Sequence, residues 1–133
     1  SGTIKNIRFF NVIAKGENGV LIHGKAENII EDVTFENCKI TLTKTSKWDC
    51  GLYDLRPCLD WGVEKYDNSA FFIRYAKNVL IEKTQTAWGT LCDSYKHAID
   101  AENVENLELV RFSGKAVSPL VDDIKLNNVK LIK

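Results

Sequence analysis

Asn6-Ile7-Arg8-Phe9-Phe10-Asn11-Val12 decides the fold, because its pattern returns along the chain. Four later segments share it: Asp32-Val33-Thr34-Phe35-Glu36-Asn37-Cys38, Asn78-Val79-Leu80-Ile81-Glu82-Lys83-Thr84, Asn106-Leu107-Glu108-Leu109-Val110-Arg111-Phe112 and Asp123-Ile124-Lys125-Leu126-Asn127-Asn128-Val129. Each opens on Asn or Asp, and apolar residues follow at the second and fourth places. Asn takes the sixth place in three of the five. Such period-two alternation marks a strand with one buried face.

A second family of strands lies between these: Val20-Leu21-Ile22-His23, Phe71-Phe72-Ile73-Arg74 and Ala98-Ile99-Asp100-Ala101. Short strands of two types recur at roughly 25-residue intervals, as in repeat architectures. One long insertion, about 43–69, interrupts them. Helical patterning is hard to find. An all-β parallel β-helix is expected, a single domain of a few coils over 1–133. Coils in such a solenoid stack at the strand spacing of roughly 4.8 Å, so a corner motif must recur once per coil. Asn11, Asn37 and Asn128 are expected to form a corner ladder, because Asn tolerates the left-handed conformation and bonds turn backbone. An antiparallel sandwich also has many short strands, but it requires no corner motif in fixed phase.

Composition narrows the function classes. The 133 residues are 44% hydrophobic and 27% charged, with 18 basic against 18 acidic side chains. That balance argues against nucleic acid or an anionic membrane as partner, and against disorder. No apolar run approaches the roughly 20 residues of a membrane span. The chain starts Ser1-Gly2-Thr3, holds no Met, and reads as a processed chain or a fragment. The first strand begins close to the start. Its open edge implies upstream coils, a partner chain or end-to-end association.

Four cysteines, Cys38, Cys50, Cys58 and Cys92, fit no zinc template and allow three full disulfide pairings. Cys38 sits in a strand and reads as a small buried hydrophobe. Cys50 and Cys58 flank a loop and are able to bridge. The acidic residues form no calcium loop, so neither a metal nor a cofactor is expected.

Three segments together resemble part of the polygalacturonase family: Ile4 to Val12, then Asn18-Gly19-Val20-Leu21-Ile22-His23-Gly24, then Glu31 to Leu42. These family 28 glycoside hydrolases cleave pectin and are right-handed, single-stranded parallel β-helices. The resemblance implies the C-terminal coils of such a fold and an extracellular or periplasmic protein. The family's motif here is of the form Asn-Gly-Val-Arg-Ile-Lys, whose Arg and Lys bind substrate carboxylates. In this chain Leu21 and His23 stand in those places. Leu cannot bind a carboxylate, and His does so only as a donor. The family's catalytic carboxylates lie upstream of this motif and have no counterpart here. Inverting glycosidases need two carboxyl groups roughly 6.5–9.5 Å apart, and no such pair is recognisable. Asp122-Asp123 reads as the start of the last coil.

Residues able to meet a sugar fall in two places. Aligning the second strand family on Ile22, Ile73 and Ile99 puts His23, Arg74 and Asp100 in one outward row. That row is either the floor of a cleft or an ordinary ion-paired surface. The insertion offers Trp48, Tyr53, Arg56 and Trp61, whose flat rings and polar tips suit sugars; its aromatics otherwise fold back over the coil they interrupt. Trp88 has the same two readings, and His97 reads as packed or at a strand edge. Two functions follow. One is the C-terminal portion of a polysaccharide-degrading enzyme, inactive alone, with a pectic or other plant glycan as partner. The other is a non-enzymatic structural, adhesive or carbohydrate-binding module.

Overall fold

The computed structural model describes residues 2–54 and 63–132. It is all-β, and no helix occurs among the described residues. The strands are β1 (Lys5–Phe10), β2 (Ile13–Gly16), β3 (Val20–His23), β4 (Ile30–Glu36), β5 (Lys39–Leu42), β6 (Leu52–Asp54), β7 (Val63–Lys65), β8 (Phe71–Glu82), β9 (Gln85–Trp88), β10 (Ile99–Val110) and β11 (Ile124–Ile132). The larger sheet runs β1-β4-β8-β10-β11, with β3 also paired to β8. A second sheet runs β2-β5-β9. Every strand pair in these two sheets is parallel, which sets the antiparallel sandwich aside. The insertion carries the antiparallel pair β6-β7.

The backbone explains why Asn and Asp recur. Asn6, Asp32, Asn78 and Asn106 all have positive φ, between 56° and 64°. Strand register stacks them in one column. A second left-handed column is Asn11, Asn37, Lys83 and Arg111, and a third is Tyr75, Asn103 and Asn128. A single left-handed residue turns an extended chain, and Asn and Asp adopt it at least cost among residues with a Cβ. The long strands β8 and β10 therefore bend at these points. Amide side chains link successive passes. Asn37 Nδ2 donates to Asn11 Oδ1 at 2.8 Å, Asn106 to Asn78 at 3.0 Å and Asn128 to Asn103 at 2.6 Å.

The expected ladder of Asn11, Asn37 and Asn128 is corrected here. Asn11 and Asn37 do stack, but Asn128 belongs to the third column with Asn103. Ile124 of β11 pairs with Ile99, not with the Leu107 arm of β10. The last repeat segment thus lies one arm earlier in the pass than the other four.

Apolar residues point inward in the same columns. Ile7, Val33, Val79 and Leu107 stack through consecutive strands, and the last three are buried. Phe9 stacks on Phe35 with centroids 4.7 Å apart, and Phe71 meets Phe35 and Phe112 edge-on at 5.1 and 6.2 Å. Cys38 is buried as expected, but it lies in the corner between β4 and β5 rather than on a strand. At the β1 end the core is open. Ile7, Phe9, Val12, Val20, Ile22 and Phe35 help line an apolar cavity of about 360 Å³. Among the described residues β1 pairs on one side only.

The insertion leaves the frame after β5 and is pinned at its base by Glu17. Lys44 Nζ lies 2.7 Å from Glu17 Oε1, and Ser46 Oγ donates to the same oxygen at 3.0 Å. The Lys44 bond, with those from Ser46, lowers the Glu17 pKa from 4.5 to about 2. A carboxylate depressed in the folded state stabilises above its unfolded pKa, and that contribution fades as pH falls through the folded value. Urea midpoints should therefore fall between about pH 4.5 and about pH 2, and less steeply in Glu17→Gln. Identical acid limbs in the two proteins would rule out this origin.

Candidate functional site

The expected outward row is present in part. Val20, Leu21, Ile22 and His23 pair with Phe71, Phe72, Ile73 and Arg74, so His23 and Arg74 do stand side by side. Asp100 does not continue them. It pairs with Phe72, and Glu102 is the residue opposite Arg74. Ile73 lies beside Ala101 rather than Ile99, so the alignment was two residues out.

Arg74 nevertheless reaches both carboxylates. Its Nη2 is 3.1 Å from Asp100 Oδ1, and its Nε is 3.4 Å from Glu102 Oε2. Nη1 donates to the carbonyls of Ile73 and Asp100, each at 3.0 Å. The guanidinium lies 3.9 Å above the Phe72 ring, which Tyr66 of the insertion flanks at 5.2 Å. Asn127 Nδ2 donates to Glu102 Oε1 at 3.2 Å. Nη1 holds two backbone carbonyls, and the guanidinium charge is met by two carboxylates. This cluster is built to hold strands together. A substrate carboxylate would have to displace those partners.

His23 Nδ1 lies 2.8 Å from the Gly24 carbonyl. A carbonyl only accepts, so this nitrogen carries the proton, leaving Nε2 as an acceptor in the neutral ring. His97 is fixed in the same way on the Asp122 carbonyl at 2.7 Å, consistent with a packed position. Trp48 does not fold back. It is 70% exposed, with Lys47 Nζ 5.5 Å from its ring centre. Trp88 does pack inward, against Tyr95 at 5.2 Å, with its indole N–H on the Lys115 carbonyl at 2.9 Å. Tyr53 lies on β6, opposite Glu64. Arg56, Cys58 and Trp61 lie outside the described residues.

A groove that the sequence reading missed lies along the second left-handed column. Its volume is about 580 Å³. One wall is Asn11, Asn37, Lys83 and Arg111; the other is Ile13, Lys39, Gln85 and Ser113, which neighbour one another through β2, β5, β9 and the Gln85–Ser113 bridge. Cys38 and Thr84, both buried, lie between the walls. Lys39, Lys83 and Arg111 are exposed. No carboxylate among the described residues lies within ion-pair distance of any of the three.

The groove contrasts with the Arg74 cluster. There a cation is consumed by the protein's own carboxylates; here three cations meet no carboxylate among the described residues. Lys83 and Arg111 hold φ of 48° and 51°, a conformation that suits Asn better. They also interrupt the amide ladder that Asn11 and Asn37 begin. Strained backbone kept at a ladder position is a reason to look for function there. The signal was legible in principle: the sixth place of the repeat changes from Asn to Lys83 and Arg111.

Comparison of the chain with protein-family models, with curated proteins and with solved structures finds no match.

Proposed function

We propose that this chain is part of a right-handed parallel β-helix that binds an acidic polysaccharide of the pectic kind without cleaving it alone. The observation that carries this reading is the groove in which Lys39, Lys83 and Arg111 stand beside Asn11, Asn37 and Gln85 with no acidic partner among the described residues. Lys83 and Arg111 stand one strand spacing apart, roughly 4.8 Å, with Lys39 on the facing wall, and such a set suits a polymer that presents carboxylates at regular intervals. Amides beside them suit hydroxyls, and the exposed Ile13 suits the apolar face of a sugar ring. The solenoid reading is supported by parallel pairing in both larger sheets and by three left-handed columns in register. The resemblance to polygalacturonases supports pectin as the polymer and an enzyme as the parent. A plain structural or adhesive module is the alternative.

Calorimetry with polygalacturonate and with a neutral glycan tests the reading. Binding of the acidic polymer is expected, with heat that falls as salt is raised because exposed charges are screened. The triple variant Lys39→Glu, Lys83→Glu, Arg111→Glu should weaken it by about tenfold or more, since each exposed ion pair contributes up to about 1 kcal/mol. Arg74→Met should leave affinity unchanged if folded. Unaltered binding in the triple variant would remove the groove from the argument. Binding of neither glycan would favour the structural module.

A further inference from the structure

The base of the insertion brings two thiols together that no local pattern connects. The chain passes Cys50 and turns at Gly51, whose φ is 86°. Gly51 accepts a hydrogen bond from the Tyr66 backbone N–H at 2.8 Å, and a Cβ on Gly51 would stand 3.1 Å from the Ser94 Cβ. This seats Cys50 against the loop between β9 and β10. Cys92 in that loop has its Sγ 3.6 Å from Ser94 Oγ. Cys50, next to Gly51, and Cys92, two residues before Ser94, thus approach Ser94 from two segments. Ser94 is itself buried and fixed, its hydroxyl donating to Asn68 Oδ1, and Asn68 Nδ2 donating to Asn18 Oδ1 at 3.1 Å. Both cysteines are half-buried free thiols.

We propose that Cys50 and Cys92 are a disulfide-forming pair that locks the insertion onto the frame, in place of the Cys50–Cys58 bridge that sequence proximity suggests. The reaction is thiol–disulfide exchange with a low-molecular-weight disulfide. Cys50 gives its proton to solvent, and its thiolate attacks one sulfur of the small disulfide. A mixed disulfide forms, and the other half leaves as a thiolate. Cys92 then loses its proton and attacks the Cys50 sulfur, expelling the second half. Two protein thiols are oxidised to one disulfide, and one small disulfide is reduced to two thiols.

The order of attack follows from the surroundings. Burial opposes ionisation of Cys50, but its hydrogen bonds with Cys92 and Ser94 outweigh that and lower its pKa below the ordinary thiol value. Burial and the bond with Cys50 raise Cys92. The thiol that ionises more readily is the one that attacks first. The bridge would close a loop of roughly 40 residues, long enough for a large loss of unfolded-state entropy.

The test is equilibration of the whole chain in a glutathione redox buffer, acid quenching, and peptide mapping without reduction. A Cys50–Cys92 cross-linked peptide is expected, with a melting midpoint about 10 °C above that of the reduced protein. Cys50→Ser or Cys92→Ser should abolish both. Cys58→Ser and Cys38→Ser should leave both intact. A Cys50–Cys58 peptide, loss of the cross-link in Cys58→Ser, or no cross-link in a fully oxidising buffer would each overturn the pairing.

Discussion

Arg74→Ala is expected to destabilise the fold by about 3–5 kcal/mol, the cost of leaving a buried charge without its partner. The magnitude follows from burial. The Arg74 and Asp100 side chains are only 14% and 9% exposed, so water cannot replace the lost ion pair at Asp100. Two backbone carbonyls, those of Ile73 and Asp100, also lose a donor, and the Phe72 ring loses its cover. Because the penalty lies in the orphaned carboxylate, Arg74→Met combined with Asp100→Asn should recover a large part of it. Urea unfolding of the two single variants and the double variant measures the coupling, expected at about 1–3 kcal/mol. A cost for Arg74→Ala below about 1 kcal/mol would mark the cluster as an ordinary solvated surface pair.

The misplacement of Asp100 shows where sequence reading loses register. A slip of one residue moves a strand's side chains to the opposite face, and alternation detects it at once. A slip of two residues keeps every side chain on its face. Aligning Ile99 with Ile73 sets His97 to Asp100 opposite Phe71 to Arg74, and the true partner set Ile99 to Glu102 shares that alternation, so the pattern cannot separate Asp100 from Glu102 as the neighbour of Arg74. The last repeat segment failed for a related reason. The long strands β8 and β10 each hold two alternating arms, and Asp123 to Val129 fits either. Only strand pairing shows that Ile124 follows Ile99.

The left-handed corners divide along the same line. At Asn6, Asp32, Asn78 and Asn106 the residue type itself announces the conformation, and those four were aligned correctly in the sequence. Tyr75, Lys83 and Arg111 adopt the same φ although their residue type does not announce it. Lys83 and Arg111 share the sixth place of the repeat, but an exposed cation there reads as ordinary surface charge. Only the facing wall of Ile13, Lys39, Gln85 and Ser113 makes that column one side of a groove. The approach of the Cys50 segment to Ser94 was likewise invisible, since it depends on how the insertion returns to the frame through Gly51 and Asn68.

Gly19→Ala is the second substitution with a large expected effect, and Gly16→Ala is its control. Gly19 immediately precedes β3, where Val20 N donates to the Ala70 carbonyl at 2.7 Å. A Cβ on Gly19 would stand 2.3 Å from the Ala70 oxygen and 2.5 Å from the Ser69 oxygen. Both neighbours are backbone of fully buried residues, so neither can swing aside. The strand must retreat from β8, withdrawing Ile22 from the core and Asn18 from its bond with Asn68. Overpacking against fixed backbone should cost about 3 kcal/mol. An added Cβ on Gly16 meets only the Asn18 carbonyl, at 3.6 Å, and its φ is not left-handed. Ala there should be neutral or stabilise by about 0.4–1 kcal/mol through reduced unfolded-state entropy. Thermal melts of the two variants compare them directly, and equal melting points would mean that β3 yields freely. The contrast also gives the Asn18-Gly19-Val20 segment a physical meaning apart from any ligand. Asn18 ties the turn to the next pass, Gly19 permits the close approach, and Val20 begins the pairing. The identities of Asn18, Gly19 and Val20 thus follow from the demands of the backbone alone.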